Sequence, residues 1–264
     1  MLSIRAHGFR IQAPIRLLKM KKLIRIIANK AGFDVIRTGN NHGSFDVHLN
    51  NVFHKYSIDC VIDVGANSGQ YGAFLRGIGF NGWIVSFEPV KSVFEKLVEN
   101  AKGDDKWICY NFALGDKSEK KIINVYSSTV FSSFLDANDY SKGIWKSLES
   151  VIPEEVVVAK LDDIFSEISD RTDCQHYYLK LDTQGYDVNV FRGGLKSLDK
   201  VDAIQTELSL IHVYKEMLSP YEVLTEYNDH NYHISGMYPI NRDESLAVIE
   251  YDCVLVKKPA QVHA

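Results

Sequence analysis

The sequence predicts an α/β fold built on a mostly parallel sheet. Three observations predict it. From Ile58 onward, short apolar runs alternate with longer helical patterns. The first of those runs passes straight into a glycine-rich turn and a helix. The last two follow each other with no helical stretch between them. Strands alternating with helices read as βαβ units with parallel strands. Consecutive strands without a helix read as an antiparallel pair.

Ile15 to Ala31 reads as an amphipathic helix. Leu17, Met20, Ile24, Ile27, Ala28 and Ala31 fall near one face at helical spacing. Arg16, Lys19, Lys22, Arg25 and Lys30 lie elsewhere, Lys21 intrudes on the apolar side, and Gly32 suits a C-cap. Such a helix can pack on the main domain or on a second subunit, or rest on an anionic membrane. Residues 33–57 read as irregular, with a turn at Gly39, Asn40, Asn41 and Gly43.

The alternation then runs to the end. Strands are expected at Cys60–Val64, Trp83–Phe87, Trp107–Phe112, Ile122–Tyr126, Glu155–Lys160, Tyr177–Leu181, Ala203–Leu208, Tyr232–Gly236 and Tyr251–Lys257. Helices are expected at Tyr71–Ile78, Ser92–Ala101, Asp162–Ile168, Val188–Arg192 and Tyr221–His230. Ser127–Pro153 is polar with little periodicity, which suits a loop or lid on the substrate side. The expected layout is a basic helical extension (1–57), one catalytic domain (58–258) and a short tail (259–264).

Charge supports that division. Residues 1–57 carry ten Lys/Arg and two acids, a net +8, and the remainder carries 20 basic and 32 acidic residues, a net −12. The whole chain, 264 residues long, is −4. A nucleic-acid binder would usually be far more basic. Cys60, Cys109, Cys174 and Cys253 have no metal-type spacing and read as reduced, mostly buried thiols. No stretch reaches the ~18 apolar residues of a membrane span. The N-terminus lacks the apolar core and cleavage site of a signal peptide. A cytoplasmic location is expected, with peripheral contact to the inner face of the membrane through residues 15–31 compatible with it.

The strongest chemical signal is Val61-Ile62-Asp63-Val64-Gly65-Ala66-Asn67-Ser68-Gly69-Gln70-Tyr71. Glycines in such a turn let the backbone approach a ligand. The first helical N–H groups then face that ligand. The spacing is not the G-x-G-x-x-G of dinucleotide binders. Asp63 suits an ammonium better than a phosphate. The second signal is Glu88-Pro89 after the Trp83–Phe87 strand, because an acid there can accept hydrogen bonds from both ribose hydroxyls.

Together these segments resemble Rossmann-like, S-adenosylmethionine-dependent methyltransferases, and more narrowly the FkbM family. The resemblance covers about residues 58–257. It is carried by VIDVGANSGQY (61–71), SFEP (86–89), NFALGD (111–116), AKLDDIF (159–165), YYLKLDTQGYD (177–187), TELSLIHVY (206–214) and YDCVLVKK (251–258). It implies the class I methyltransferase fold, with a seven-stranded sheet ordered 3-2-1-4-5-7-6, helices on both faces and an antiparallel last strand. It implies S-adenosylmethionine over the carboxyl ends of the first three strands. Carried over by residue, Asp63, Gly65, Ala66, Asn67 and Gly69 form the first cofactor loop, and Gln70 and Tyr71 close its helix side. Glu88 holds the ribose, Pro89 lies against the adenosine, and Ala113 and Leu114 border the adenine. Asp116 is a weaker candidate there, equally readable as a turn acid.

Asp182 ends the Tyr177–Leu181 strand, where a doubly wound sheet opens its ligand crevice. It could hold the methionine ammonium, orient an acceptor hydroxyl or take its proton. It could equally pair with Lys180 or cap a helix. Asp187 stands where the family's motif usually ends in an acid and reads as a helix-start acid. Glu207 lies at the end of the next strand, with His212 and Tyr214 shortly after, and Asp182, Glu207 and His212 could converge as the catalytic set. The same three could hold Mg²⁺, although no compact ligand motif occurs and no metal is expected. Ser132-Ser133 resembles a serine-rich spot of the family.

The implied activity is O-methylation of a hydroxyl on a sugar or glycan, in a polysaccharide or glycolipid precursor. Alternatives are a non-sugar small-molecule hydroxyl, a non-catalytic glycan-binding or scaffolding protein that keeps the fold, and an NAD-dependent oxidoreductase. Nucleic acid is not an expected partner: the motif after the fourth strand is LDTQGYD rather than an Asp-Pro-Pro-aromatic run. An oligomer is compatible with the sequence.

Overall fold

The structure is a computed structural model that describes residues 44–258. The helix expected at 15–31 and the tail at 259–264 lie outside the described residues. The chain divides into two compact units, Met1–His48 and Leu49–Ala264. Of the first, residues 44–48 are described, and residues 45–48 form the first turn of helix α1 (Phe45–Tyr56).

That helix corrects the expectation of irregular chain up to residue 57. Leu49, Val52 and Phe53 recur at helical spacing and are buried. Asp46 lies in the first turn, with His54 and Lys55 in the last, as the helix dipole favours. Asn50 and Asn51, poor helix formers, obscure the pattern in the sequence.

The main sheet contains β1 (Cys60–Val64), β2 (Trp83–Phe87), β3 (Trp107–Tyr110), β7 (Tyr177–Leu181), β8 (Val201–Ser209), β9 (Tyr232–Arg242) and β10 (Val248–Lys257). Their order is β3-β2-β1-β7-β8-β10-β9. Counted along the sheet's own strands, that is the expected 3-2-1-4-5-7-6. The β3-β2-β1-β7-β8 pairs are parallel, and β10 runs antiparallel to both β8 and β9. Every residue of β1 and β7 is buried because both their faces are covered.

Helices α2 (Gln70–Gly77), α3 (Lys91–Ala101), α5 (Leu161–Thr172), α6 (Asp187–Arg192) and α7 (Pro220–Asp229) provide the connections. Ile62, Leu179 and Ile204 share one core with Leu161 and Ile168 of α5, Phe191 of α6 and Tyr227 of α7. On the other face, the Tyr178 ring packs edge-on to Phe53 of α1 at 5.0 Å. The Tyr71 hydroxyl of α2 donates to Gln205 Oε1 at 2.6 Å on that face.

Two expected strands belong to a second sheet. β5 (Glu119–Tyr126) and β6 (Val151–Ala159) pair antiparallel, and β6 also pairs parallel with β4 (Ala113–Leu114). The strand expected over 107–112 thus ends early, at Tyr110 in β3, and β4 begins beyond its expected limit and leaves the main sheet. The polar Ser127–Pro153 segment is ordered rather than featureless. It holds a 3₁₀ turn at Thr129–Phe131 and α4 (Asp139–Ile144). Its Ala137 and Leu148 are buried against Val213, Tyr214 and Ile249. No helix among the described residues is long and apolar enough to cross a membrane.

Candidate functional site

In open α/β sheets, ligands bind outside the carboxyl ends of strands where the strand order reverses. Here that point lies between β1 and β7. The chain leaves β1 at Gly65, whose φ is +76°. A Cβ on Gly65 would lie 1.9 Å from the Asp182 carbonyl oxygen. Only glycine lets the two strand ends approach so closely. Asp182 N–H donates to Val64 O at 3.1 Å and locks them together. Asn67 also has a left-handed backbone, φ +47°, and Gly69 opens α2 at φ +90°. No side chain caps the N-terminus of α2.

Glu88 closes this turn from β2. The Asn67 N–H donates to its Oε2 at 3.0 Å and the Val90 N–H to its Oε1 at 2.8 Å. The residue is 6% exposed. Burial pushes its carboxyl up to about 7, against the pull of those two backbone donors. Each oxygen keeps a lone pair for a further donor. Asn67 Oδ1 accepts from Ser68 N–H and from Gln70 Nε2, while its Nδ2 donates to Thr129 Oγ1 at 3.1 Å. The 3₁₀ turn of the 127–153 segment is thereby tied to the glycine-rich turn.

Asp63 does not meet the crevice. It is fully buried, and the ammonium beside it belongs to the protein: Lys180 Nζ lies 3.0 Å from its Oδ1, close but not aligned as a hydrogen bond. Ser86 Oγ donates to Oδ2 at 3.3 Å and itself accepts from Trp107 Nε1 at 3.0 Å. Sheet register creates this row, because Ser86, Asp63, Lys180 and Gln205 are consecutive cross-strand partners on β2, β1, β7 and β8. Burial opposes the Lys180 charge, but Asp182 and Asp63 outweigh it and raise the ammonium above the ordinary lysine value. Burial also raises the Asp63 carboxyl, against the pull of Lys180. Lys180 is not among the residues singled out from the sequence as functional; strict alternation along YYLKL was the available signal, because it puts Lys180 on the Tyr178 face.

Asp182 is half-buried at the mouth of the crevice. Its Oδ2 faces Lys180 Nζ at 3.2 Å, so the charge pair considered from sequence is present. Its Oδ1 accepts from Gln184 Nε2 at 3.1 Å. The same Nε2 donates to Glu207 Oε2 at 2.7 Å. Glu207 is half-buried, and among the described residues its Oε1 has no hydrogen-bond partner. Burial, then Asp182, Glu250, Asp187 and Asp252, raise its carboxyl well above the usual range. Asp182 and Glu207 are therefore brought together, through a residue to which the sequence assigns no role.

His212 is not brought with them. Its ring is exposed and its charged neighbour is Glu222 of α7. Its backbone carbonyl accepts from Asn138 Nδ2 at 2.6 Å. It lies on the loop after β8, where direction cannot be read from spacing. Among the described residues no three His, Cys, Asp or Glu side chains converge as a metal site. The trio Asp182, Glu207 and His212 is thus not assembled as a ligand set.

Asp187 does start a helix, and it does more. Its Oδ1 accepts from Thr183 N–H and Oγ1, and its Oδ2 from Thr206 Oγ1 and Glu207 N–H. It pins the turn after β7 to β8. Ser133 Oγ donates to the Gln184 carbonyl at 2.7 Å, while Ser132 Oγ is buried without a partner. Ala113 and Leu114 are buried in β4, and Leu114 packs in the main core. Asp116 Oδ1 accepts from Tyr186 OH at 3.4 Å. Pro89 is half-buried, and its carbonyl accepts from Asn111 Nδ2. Gln70 is exposed beside the turn, and Tyr71 lies under Lys180, whose Nζ is 5.2 Å from the ring centre.

Comparison with curated protein sequences finds no match. Several solved structures align at low identity. Sp1610 of Streptococcus pneumoniae, solved with S-adenosyl-L-methionine, is 12% identical over 81% of this chain and 75% of that one, with a TM-score of 0.45. An rRNA methylase of Streptococcus thermophilus is 9% identical over 82% and 98%, with a TM-score of 0.42. TehB of Haemophilus influenzae is 8% identical over 80% and 61%, with a TM-score of 0.41. The profile of the methyltransferase FkbM domain matches residues 63–234, about two thirds of the chain. The chain belongs to the FkbM methyltransferase family and is an S-adenosylmethionine-dependent methyltransferase.

Proposed function

We propose that this methyltransferase methylates a hydroxyl of a sugar or glycan, in a polysaccharide or glycolipid precursor. The observation that carries the oxygen acceptor is Glu207. One of its oxygens is held by Gln184 and the other is open, and its proton affinity is raised. A neutral alcohol is a poor nucleophile, so its methylation benefits from a positioned base of this kind, typically by ~10²–10⁴-fold. The sugar is supported by the resemblance to a family whose typical acceptors are sugar and polyketide hydroxyls.

S-adenosylmethionine supplies an electrophilic methyl group on a sulfonium that is already a good leaving group. The site's residues fit that cofactor. Glu88 has a spare lone pair on each oxygen for the two ribose hydroxyls. Pro89 would flank the adenosine, with Ala113 and Leu114 bordering the adenine. Gly65, Ala66, Asn67 and Gly69 shape the turn over which the methionine part lies, Gln70 and Tyr71 flank it, and the uncapped N–H groups of α2 face its carboxylate. Asp182 faces the ammonium side while paired with Lys180. The crevice carries Glu88, Asp182 and Glu207, which suits a cationic ligand. Glu207 Oε1 accepts the acceptor proton, and the chain's main task is to hold that hydroxyl in line with the carbon–sulfur bond.

The test is transfer of isotope-labelled methyl from the cofactor to sugars and glycan oligomers. The expected product carries the label as an alkali-stable ether. Glu207→Gln should lower turnover at least about 100-fold while cofactor affinity stays within twofold. Label released by mild alkali as a methyl ester, or attached to nitrogen, would contradict the reading.

A further inference from the structure

The turn after β7 holds a side chain that the assignments above leave without a chemical task. Gln184 has a left-handed backbone, φ +53°, followed by Gly185 at φ +87°. A non-glycine residue seldom occupies that region unless its surroundings impose it. Three contacts impose it here. Ser133 Oγ donates to the Gln184 carbonyl at 2.7 Å, Tyr214 OH donates to Gln184 Oε1 at 2.8 Å, and Gln184 Nε2 spans the two carboxylates. Tyr214 OH also lies 2.9 Å from the Phe131 carbonyl, so the 3₁₀ turn over the site bears on the same hydroxyl. The amide has one orientation available. Reversed, its oxygen would face both carboxylates with no proton between them.

We propose that Gln184 is a positioning residue: its amide bridges Asp182 and Glu207 and turns the Glu207 carboxyl so that Oε1 faces the acceptor hydroxyl. The assignment rests on Glu207 being the base. Gln184 does not touch the reacting atoms; it acts through Glu207 in two ways. It fixes the carboxyl plane, and it offers an N–H that favours the ionised form. That donor matters because the surroundings oppose ionisation. Asp182 from the turn after β7, Asp187 from the start of α6, and Glu250 and Asp252 from β10 all face Glu207, and Tyr214 approaches from the loop after β8. Lys180 is already committed to Asp63 and Asp182.

The sign follows. Loss of the Gln184 donor raises the proton affinity of Glu207 further. The acid limb of the kcat profile then moves to higher pH, by about one to two pH units for a hydrogen bond to a charged group. Gln184→Met should show this shift, with about tenfold lower kcat at a pH one unit below the new limb and cofactor affinity within twofold of wild type. Tyr214→Phe retains the ring and removes the hydroxyl that anchors the amide, so it should shift the limb in the same direction by less. It carries the test if Gln184→Met does not fold. Difference infrared spectra against Glu207→Gln read the carboxyl titration directly, and its midpoint should rise in both variants. Limbs and carboxyl midpoints equal to wild type would overturn the role of Gln184. Full turnover in Glu207→Gln, with the carboxyl midpoint still moved by Gln184→Met, would overturn Glu207 as base instead.

Discussion

With the ribose role proposed for it, Glu88 links cofactor binding, pH and stability. Its folded carboxyl titrates at about 7 and near 4.3 when exposed. A ribose hydroxyl donates best to the ionised form, so cofactor affinity should rise with pH through that value. Titration calorimetry at pH 6 and pH 8 should give affinities about tenfold apart, and Glu88→Gln should bind weakly with no such dependence. The same shift works against stability. Between about pH 4.5 and 7 the folded state keeps a proton that the unfolded state has lost, so stability falls as pH rises. Thermal melts of Glu88→Gln across that window should be flatter than wild type. Lys180 stands at the opposite extreme. It is the buried cation between two carboxylates, and Lys180→Met should cost about 3–5 kcal/mol in denaturant unfolding by leaving them uncompensated. Asp63→Asn in that background should restore part of the loss. At this scale residue type and spacing mark Asp63 and Glu88 as acids at the first two strands but do not identify Asp63's partner. The Lys180 ammonium reaches it across a strand pairing, 117 positions along the chain, that spacing alone does not reveal.

At the scale of elements, the approach of β1 to β7 is the site's mechanical basis. Gly65→Ala places a Cβ 1.9 Å from the Asp182 carbonyl at a positive φ. The expected cost is about 3 kcal/mol or more, visible as a lower denaturation midpoint with cofactor binding lost before the fold. A second close approach supports the same turn. The Trp107 ring lies where a Cβ on Gly72 would be, at 2.1 Å, and its indole nitrogen reaches Ser86 and through it Asp63. The strands of the main sheet were legible because buried parallel strands are short, apolar and bounded by turns. Cys60–Val64, Trp83–Phe87 and Tyr177–Leu181 match their expected limits. Three elements were less legible. α1 hides two asparagines inside its apolar spacing. β5 and β6 read as strands, but which sheet they join depends on the small break at Asn111-Phe112 that releases β4. The 127–153 segment conceals its order because its burial comes from scattered contacts to Val213, Tyr214 and Ile249 rather than from a period.

Across the described molecule, the sheet's topology gathers residues from distant segments at one edge. Asn67, Glu88, Asp182 and Gln184 come from three βα connections and Glu207 from β8, and Thr129, Ser133 and Tyr214 tie them from the 127–153 segment and the loop after β8. The alternation of strands and helices revealed this architecture from sequence, and the glycine-rich turn revealed which end of it matters. Which acid keeps an open oxygen was not legible, since Asp182 and Glu207 both lie near the carboxyl end of a parallel strand and differ only in their neighbours. Lys180 and Gln184 occupy both oxygens of Asp182 and only one of Glu207. A crystal structure with S-adenosylhomocysteine tests the central claim most directly. The expected result has both ribose hydroxyls within hydrogen-bond reach of the Glu88 carboxylate and the sulfur facing the gap beside Glu207 Oε1. A ribose away from Glu88, or a sulfur screened from Glu207, would contradict it.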